Sequence, residues 1–281
     1  ADTSLAAGAQ VDMYQAIEAQ NLIRTKKGTA SADSLTLSFW IKSNLTGTIS
    51  AELYDPDNTR QITQTFTISS ADTWEKKEIT YAGDTTGAPG ADNGVGMYVI
   101  LWLAAGSNFT SGSLSTTWTH ATSANRVSSS NINIASSTSN EILFTGLQLE
   151  QSAAATDFEF EPFETTQNKC FRYYRRLQKT DAGTTAGFLT TCNIGGSSFV
   201  EVAHPTMTMR TVPSISATGL VANDHSATSG DCDGVVLNSG RTNGVGVSYK
   251  LTFASGSMTA GKAGKVISNA DAEFLDFSAE L

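Results

Sequence analysis

Eight residues constrain this chain more than any others. In residues 35–42, Leu35, Leu37, Phe39 and Ile41 fall on one side of an extended strand, and Thr36, Ser38, Trp40 and Lys42 on the other. A slip of one residue would turn every apolar side chain to water, so the pattern prescribes a strand with one covered face. It predicts that Leu35, Leu37, Phe39 and Ile41 are buried and that Thr36 and Lys42 are more exposed. The signal recurs at short intervals. Residues 48–54 place Ile49, Ala51 and Leu53 inward, and residues 61–68 place Ile62, Gln64, Phe66 and Ile68 on one face. Residues 74–81, 132–135 and 141–150 also read as strands, and 95–104, the most apolar stretch, reads as a central one. Val11, Met13 and Ile17 fit a strand, whereas Met13, Ala16 and Ile17 fit a helix, so residues 11–20 stay ambiguous. Asp55-Pro56-Asp57-Asn58 is a turn by composition, and residues 106–130 form a long polar loop around Trp118.

Past residue 157 the character changes. Phe158-Glu159-Phe160-Glu161-Pro162-Phe163 is an extended connection in which Phe and Glu alternate. Residues 165–178 read as a helix capped by Thr165 or Asn168, with Phe171, Tyr174 and Leu177 on one face. Lys169, Arg172, Arg175, Arg176 and Lys179 make it the basic cluster of the chain, read as a solvated face. Strand signals return at 186–192, 197–203, 206–210, 214–220, 234–237, 245–253 and 273–277, and Ala260-Gly261-Lys262-Ala263-Gly264 reads as a glycine turn. The expected architecture is all-β: a jelly-roll β-sandwich, a short helix, and a second, smaller β-sandwich. Residues 1–10 form a flexible lead-in, 11–160 the jelly roll, 161–180 the linker with its helix, and 181–281 the C-terminal sandwich.

Charge narrows the partners. The net charge is −9 with 18 Lys plus Arg, a poor endowment for nucleic-acid phosphates, so no nucleic-acid partner is expected. The longest apolar run, near 98–105, falls far short of the ~20 residues that a membrane span requires, so no membrane insertion is expected. The chain opens Ala1-Asp2-Thr3-Ser4-Leu5, with neither a basic start nor an apolar stretch. Cys170, Cys192 and Cys232 are odd in number and widely spaced; buried free thiols are expected rather than a disulfide framework. His120, His204 and His225 are scattered, and no zinc-binding spacing occurs.

The order of several segments resembles a known family. Thr145-Gly146-Leu147-Gln148-Leu149-Glu150 is followed by Thr156-Asp157-Phe158-Glu159 and Cys170-Phe171-Arg172-Tyr173-Tyr174, then by Met209-Arg210-Thr211-Val212-Pro213 and a terminal Ser278-Ala279-Glu280-Leu281. This series is similar to the C-terminal regions of fibre and appendage proteins of tailed phages. Residues 35–55, Thr73-Trp74-Glu75 and the strand ending at Glu150 resemble jelly-roll modules of the carbohydrate-binding type. The resemblance implies a protein of the virion surface, extracellular, associated with other virion proteins and with host cell-surface glycan. It also implies a homo-oligomer, expected to be a trimer, to which exposed sheet edges and the Phe158, Phe160 and Phe163 stretch contribute. Relatives sometimes hold a structural calcium between an early acidic residue, here Glu18, and an Asp of the last strand; this chain has Phe144-Thr145-Gly146 there, without the Asp.

The candidate chemistry is therefore adhesion. An exposed ring stacks on the apolar face of a sugar while short polar side chains orient its hydroxyls. Trp118 and Trp40 are the leading rings, with Tyr54, Asp55 and Asn58 beside them as lesser candidates. Each has a structural alternative: Trp118 can anchor its own loop, Trp40 can pack under one, and Asp55 and Asn58 are ordinary turn residues. Trp102, in the most apolar strand, is read as core. Calcium at Asp55-Pro56-Asp57-Asn58 lacks a later acidic ligand, so no metal and no cofactor is expected. No Gly-x-Ser-x-Gly and no strand bearing two carboxylates in a cleft-like context appears, so no catalytic residue is named and no enzyme is expected. The leading function is a non-enzymatic fibre or receptor-binding subunit. The rivals are a capsid decoration or head-fibre protein, a glycan-degrading appendage enzyme, and a secreted adhesin.

Overall fold

The structure, a computed structural model, describes residues 1–179, 187–204, 208–224, 228–238, 242, 246–268, 270 and 272–280. Ala186, Thr206, His225, Val245 and Leu281, which figured in the sequence reading, lie outside them. The chain divides into two compact units, Ala1–Phe160 and Glu161–Glu280. Both are antiparallel β-sandwiches, as the alternating pattern requires.

In the first unit, the strands are β1 (Gln10–Glu18), β2 (Leu35–Ser43), β3 (Gly47–Asp55), β4 (Arg60–Ile68), β5 (Glu75–Tyr81), β6 (Val95–Ala105), β7 (Thr119–His120) and β8 (Ile142–Glu150). They form a five-stranded sheet in the order β1-β6-β3-β4-β7 and a three-stranded sheet in the order β5-β2-β8. The apolar β6 lies between β1 and β3, an interior strand as its composition predicts. Leu35, Leu37, Phe39 and Ile41 are buried and meet Ile49, Ala51, Leu53, Ile62, Phe66, Met97 and Leu101 of the facing sheet. Phe39 sets its ring edge-on to Phe66 at 5.2 Å and to Phe144 at 5.8 Å. Burial of each such side chain contributes about 1.5–3 kcal/mol.

The outward faces are less exposed than the alternation implied. Thr36 is fully buried, which corrects the expectation that it would be open to solvent. It points away from the core, but the chain after β8 doubles back over it: Thr36 Oγ1 donates to the Ser152 carbonyl at 2.8 Å. On the five-stranded sheet, the long loop after β6 covers Ser50, Glu52 and Thr63 in the same way. Thr63 N donates to Ser115 O at 2.7 Å, and Thr63 Oγ1 to Arg126 O at 3.0 Å. Both covering segments are polar, so composition alone marks them as solvent-facing.

Residues 132–135 are not a strand. A single bridge joins Thr48 to Asn131, and a 3-10 turn follows at Ile134–Ser136. Asn133 Oδ1 accepts from Ala135 N at 3.0 Å, a local bond that competes with sheet pairing.

The second unit begins with a helix, Phe163–Cys170. It starts after Pro162 rather than at a Thr165 or Asn168 cap, and it ends eight residues before 178. Tyr174–Gln178 is instead the strand β9, which pairs with a distant partner. Leu177 joins the core there while Tyr174 and Arg176 face solvent, so long-range pairing overrides the i, i+3 spacing. The predicted basic helix is thereby split: Lys169 pairs with Glu161, Arg176 donates to Asp276 through Nε at 2.7 Å, and Arg175 covers the Phe171 ring at 4.6 Å.

The remaining strands are β10 (Gly187–Gly196), β11 (Phe199–His204), β12 (Ser214–Thr218), β13 (Val221–Asn223), β14 (Cys232–Leu237), β15 (Val247–Phe253), β16 (Ala263–Ser268) and β17 (Phe274–Ser278). They make a six-stranded sheet, β13-β16-β10-β11-β15-β14, and a three-stranded sheet, β12-β17-β9. Three sequence readings change. Residues 208–210 form no strand, and β16 continues out of the predicted glycine turn. The predicted strand 214–220 breaks at Gly219, whose φ of +65° lets the chain leave one sheet for the other between β12 and β13. The cysteines are free thiols: Cys192 is buried, Cys232 half-buried, and Cys170, at the end of a surface helix, exposed rather than buried.

Candidate functional site

The five predicted binding residues separate into three places in the first unit. Asp55, Asn58 and Trp118 belong to a closed polar cluster. Asp55 is fully buried and bonds the ammonium of Lys27, which lies 3.2 Å from Asp84. Arg60 clasps Asp84 through Nε and Nη2, each at 2.8 Å. Asn58 N donates to Asp55 Oδ1 at 3.0 Å and Nδ2 to Oδ2 at 2.9 Å. Burial opposes the charge on Asp84, but bonds from Arg60, the Thr86 amide and Lys27 outweigh it and hold the carboxyl below the usual range. The Lys27 ammonium stands 5.6 Å from the Trp118 ring centroid, and Trp118 Nε1 donates to Ala82 O at 2.7 Å. Trp118 thus anchors its own loop, and a lysine fills the Asp55 turn, which the sequence reading offered as a lesser sugar contact. Among the described residues, no group of three or more His, Cys, Asp or Glu side chains is placed to hold a metal.

Trp40 stands elsewhere, on the outer face of the three-stranded sheet, 44% exposed. It pairs across the strands with Lys76 of β5 and Thr145 of β8. The β2–β8 register shifts between Ser38 and Trp40, and Gly146 adopts a φ of +62° beside the shift. A side chain at Gly146 would come within 3.8 Å of both the Phe158 and the Trp40 rings. Between these two rings lies a cleft of about 140 Å³.

The returning chain builds the second wall. Thr156 N and Oγ1 donate to the two oxygens of Glu150 at 2.7 and 2.8 Å. Glu159 N donates to Gln148 Oε1 at 2.9 Å. These bonds seat Phe158 opposite Trp40. The amide and hydroxyl of Thr156 hold the Glu150 carboxyl below its ordinary value. Around the cleft stand Lys76, whose ammonium lies 2.8 Å from Glu78, Thr156, and Asp157, whose carboxylate has no hydrogen-bond partner among the described residues. At ~30 Å³ per water the cleft has room for four or five waters, the scale of one sugar ring rather than a chain.

Sequence reasoning found Trp40 and missed Lys76, Thr156, Asp157 and Phe158. The alternation in residues 75–81 turns Lys76 to the same face as Trp40, a signal available from sequence. Nothing local reveals that residues 151–160 fold back over the sheet. Trp102 is fully buried, as expected, and donates Nε1 to Glu52 Oε2 at 2.8 Å. Tyr54, half-buried, lies apart from the cleft, its ring stacked on Tyr98 at 6.2 Å. No known protein family and no curated protein matches the chain.

Proposed function

We propose that this chain is a non-enzymatic phage virion fibre or receptor-binding subunit that adheres to host cell-surface glycan. The observation that carries the reading is the cleft between Trp40 and Phe158. Two rings face a sugar-sized space, with an ammonium, a hydroxyl and the Asp157 carboxylate, which accepts no hydrogen bond among the described residues, at its rim. Rings supply contact to the apolar face of a pyranose and the polar groups orient its hydroxyls. The cleft is lined by one carboxylate, Asp157, where glycoside hydrolysis generally employs two, which favours binding over cleavage.

A site this small buries little area, so each copy binds in the millimolar to micromolar range, about −4 to −8 kcal/mol. Firm attachment then comes from many copies. Phe160 and Phe163, 87% and 79% exposed, are apolar surface that a homotrimer would cover. The chain would act on the virion surface beside other virion proteins.

The test is binding of the folded protein to host cells and to a glycan array, with Trp40→Ala and Phe158→Ala compared with wild type. Loss of binding in both variants, with the β-rich circular dichroism spectrum intact, supports the reading. Undiminished binding by both removes the cleft as the site. A wild-type protein that binds no host cell and no glycan transfers the assignment to capsid decoration.

A further inference from the structure

The closed polar cluster of the first unit joins three segments that lie far apart in the sequence. Lys27 follows a 3-10 turn at Ile23–Thr25, Asp55 ends β3, and Asp84 stands just past β5. Close backbone approach presses these segments together. Gly28 N donates to Asp84 O at 2.8 Å. A side chain at Gly28 would strike the Ala88 backbone at 2.5 Å, and one at Gly87 would strike Asn58 Cγ at 2.6 Å. Both glycines also take a positive φ, +83° and +79°, which other residues rarely adopt. The result is a dry centre: the Lys27 side chain is 4% exposed, and those of Asp55 and Asp84 are 1% exposed each.

In that centre Lys27 Nζ bonds Asp55 Oδ2 and Gly87 O, the latter at 2.6 Å, and lies 3.2 Å from Asp84 Oδ2. The carbon of the Asp55 carboxyl is one covalent bond beyond the oxygen that Nζ touches. Asn58 N donates to Oδ1 of the same carboxyl at 3.0 Å, and Asn58 Nδ2 donates to Oδ2 at 2.9 Å. A backbone amide is thus aimed at the oxygen that would gather charge if an amine added to this carbon. Arg60 already balances Asp84 through two bonds of 2.8 Å, so Lys27 is the cation left to Asp55. As an ion pair, Lys27 and Asp55 bear the desolvation cost of buried charge, whereas an amide between them carries no charge. An amine held against a carboxyl, a second carboxylate within reach of the amine and the exclusion of water are what direct amide formation requires.

We propose that Lys27 and Asp55 join in an intramolecular isopeptide bond, with Asp84 as the proton carrier. The step needs no external reagent. One proton passes from Nζ to Oδ2 within the ion pair. The Nζ lone pair then forms a bond to Asp55 Cγ, and the carbonyl electron pair moves onto Oδ1, facing the Asn58 amide. Asp84 takes a second proton from Nζ and hands it to Oδ2. The Cγ–Oδ2 bond breaks, Oδ2 leaves with both protons as water, and Oδ1 becomes a carbonyl again. The amide nitrogen keeps the third proton, and Asp84 ends as the carboxylate it was at the start. The bond ties the segment before β2 to the end of β3, so that both strands lie within a closed covalent loop. Such a loop restricts the unfolded chain and thereby favours the folded one.

The experiment is mass spectrometry of the purified full chain, first intact after denaturation and then as a protease digest. The expected result is an intact mass below the sequence mass by one water, with fragment spectra that join the Lys27 peptide to the Asp55 peptide. Lys27→Arg, which keeps the cation, should return to its full sequence mass. Asp84→Asn, shown by circular dichroism to be folded, should form the bond about 100-fold more slowly. A wild-type chain at its full sequence mass, with no joined peptide after prolonged incubation, overturns the proposal without recourse to any variant. A water loss that persists in Lys27→Arg also overturns it, because that loss marks a cyclised aspartyl residue elsewhere in the chain. A bond that forms equally fast in Asp84→Asn overturns the role given to Asp84.

Discussion

Trp118 and Trp40 are the two leading rings of the sequence, Trp118 in a polar loop and Trp40 on a strand between Phe39 and Ile41. In the structure they behave oppositely. The charges near Trp118, on Lys27, Asp55, Asp84 and Arg60, pair with one another. Near Trp40, Lys76 pairs along the rim with Glu78, while the Asp157 carboxylate accepts no hydrogen bond among the described residues, and a cleft remains. The difference lies in whether the polar groups can satisfy one another. Where they can, they form structural cement; where geometry holds them apart, they are available to a ligand.

The largest effect should come from opening the closed cluster. Lys27→Ala leaves Asp55 and Asp84 buried with Arg60 as the cation that still bonds Asp84, and should cost about 3–5 kcal/mol in a urea titration. A cost below 1 kcal/mol would mean that the cluster is not cement. Next, Trp118→Ala removes a half-buried ring and its bond to Ala82 O, and should cost about 2–3 kcal/mol. Glycan binding by the fraction that stays folded should not change; a selective loss of binding would restore Trp118 as a contact residue.

Acid should distinguish the two regions as well. The folded pKa of Asp84 is depressed, so its stabilising contribution is present above the unfolded value, ~3.9, and is lost as pH falls through the lower folded one. The thermal midpoint of the first unit should therefore fall below about pH 4, and Asp84→Asn should flatten that slope. An unchanged slope in the variant would assign acid lability to other carboxylates. The smallest stability effect belongs to Trp40→Ala, within about 1 kcal/mol because the ring is half in solvent, yet it should carry the large loss of binding. A costly Trp40→Ala with binding retained would reverse the comparison.

Much of the fold was legible in residues 35–81, where an alternation of two leaves one register that buries Leu37, Phe39 and Ile41. Local rules failed where a distant partner decided the outcome. Residues 174–178 carry a plausible helical stripe, yet they form β9 because β17 offers Leu275 and Asp276 in register with Leu177 and Arg176. Of the five candidate binding residues, only Trp40 lies at the cleft. Asp55 and Asn58, lesser sugar-contact candidates, perform the turn chemistry that was their structural alternative, and Tyr54 lies in a row of tyrosines that no spacing in the sequence brings together.

By itself, then, the sequence determined the class of structure: period-two alternation, polar turns and weak charge admit short antiparallel strands around apolar cores. Tertiary structure alone decided which outward faces stay open. Thr36 and Glu52 alternate outward like Trp40 and Tyr14, but residues 151–160 and the loop after β6 cover the first pair and not the second. Periodicity specifies the side of a sheet on which a residue lies. Whether water reaches that side depends on where a polar segment, many residues away, finds its hydrogen bonds.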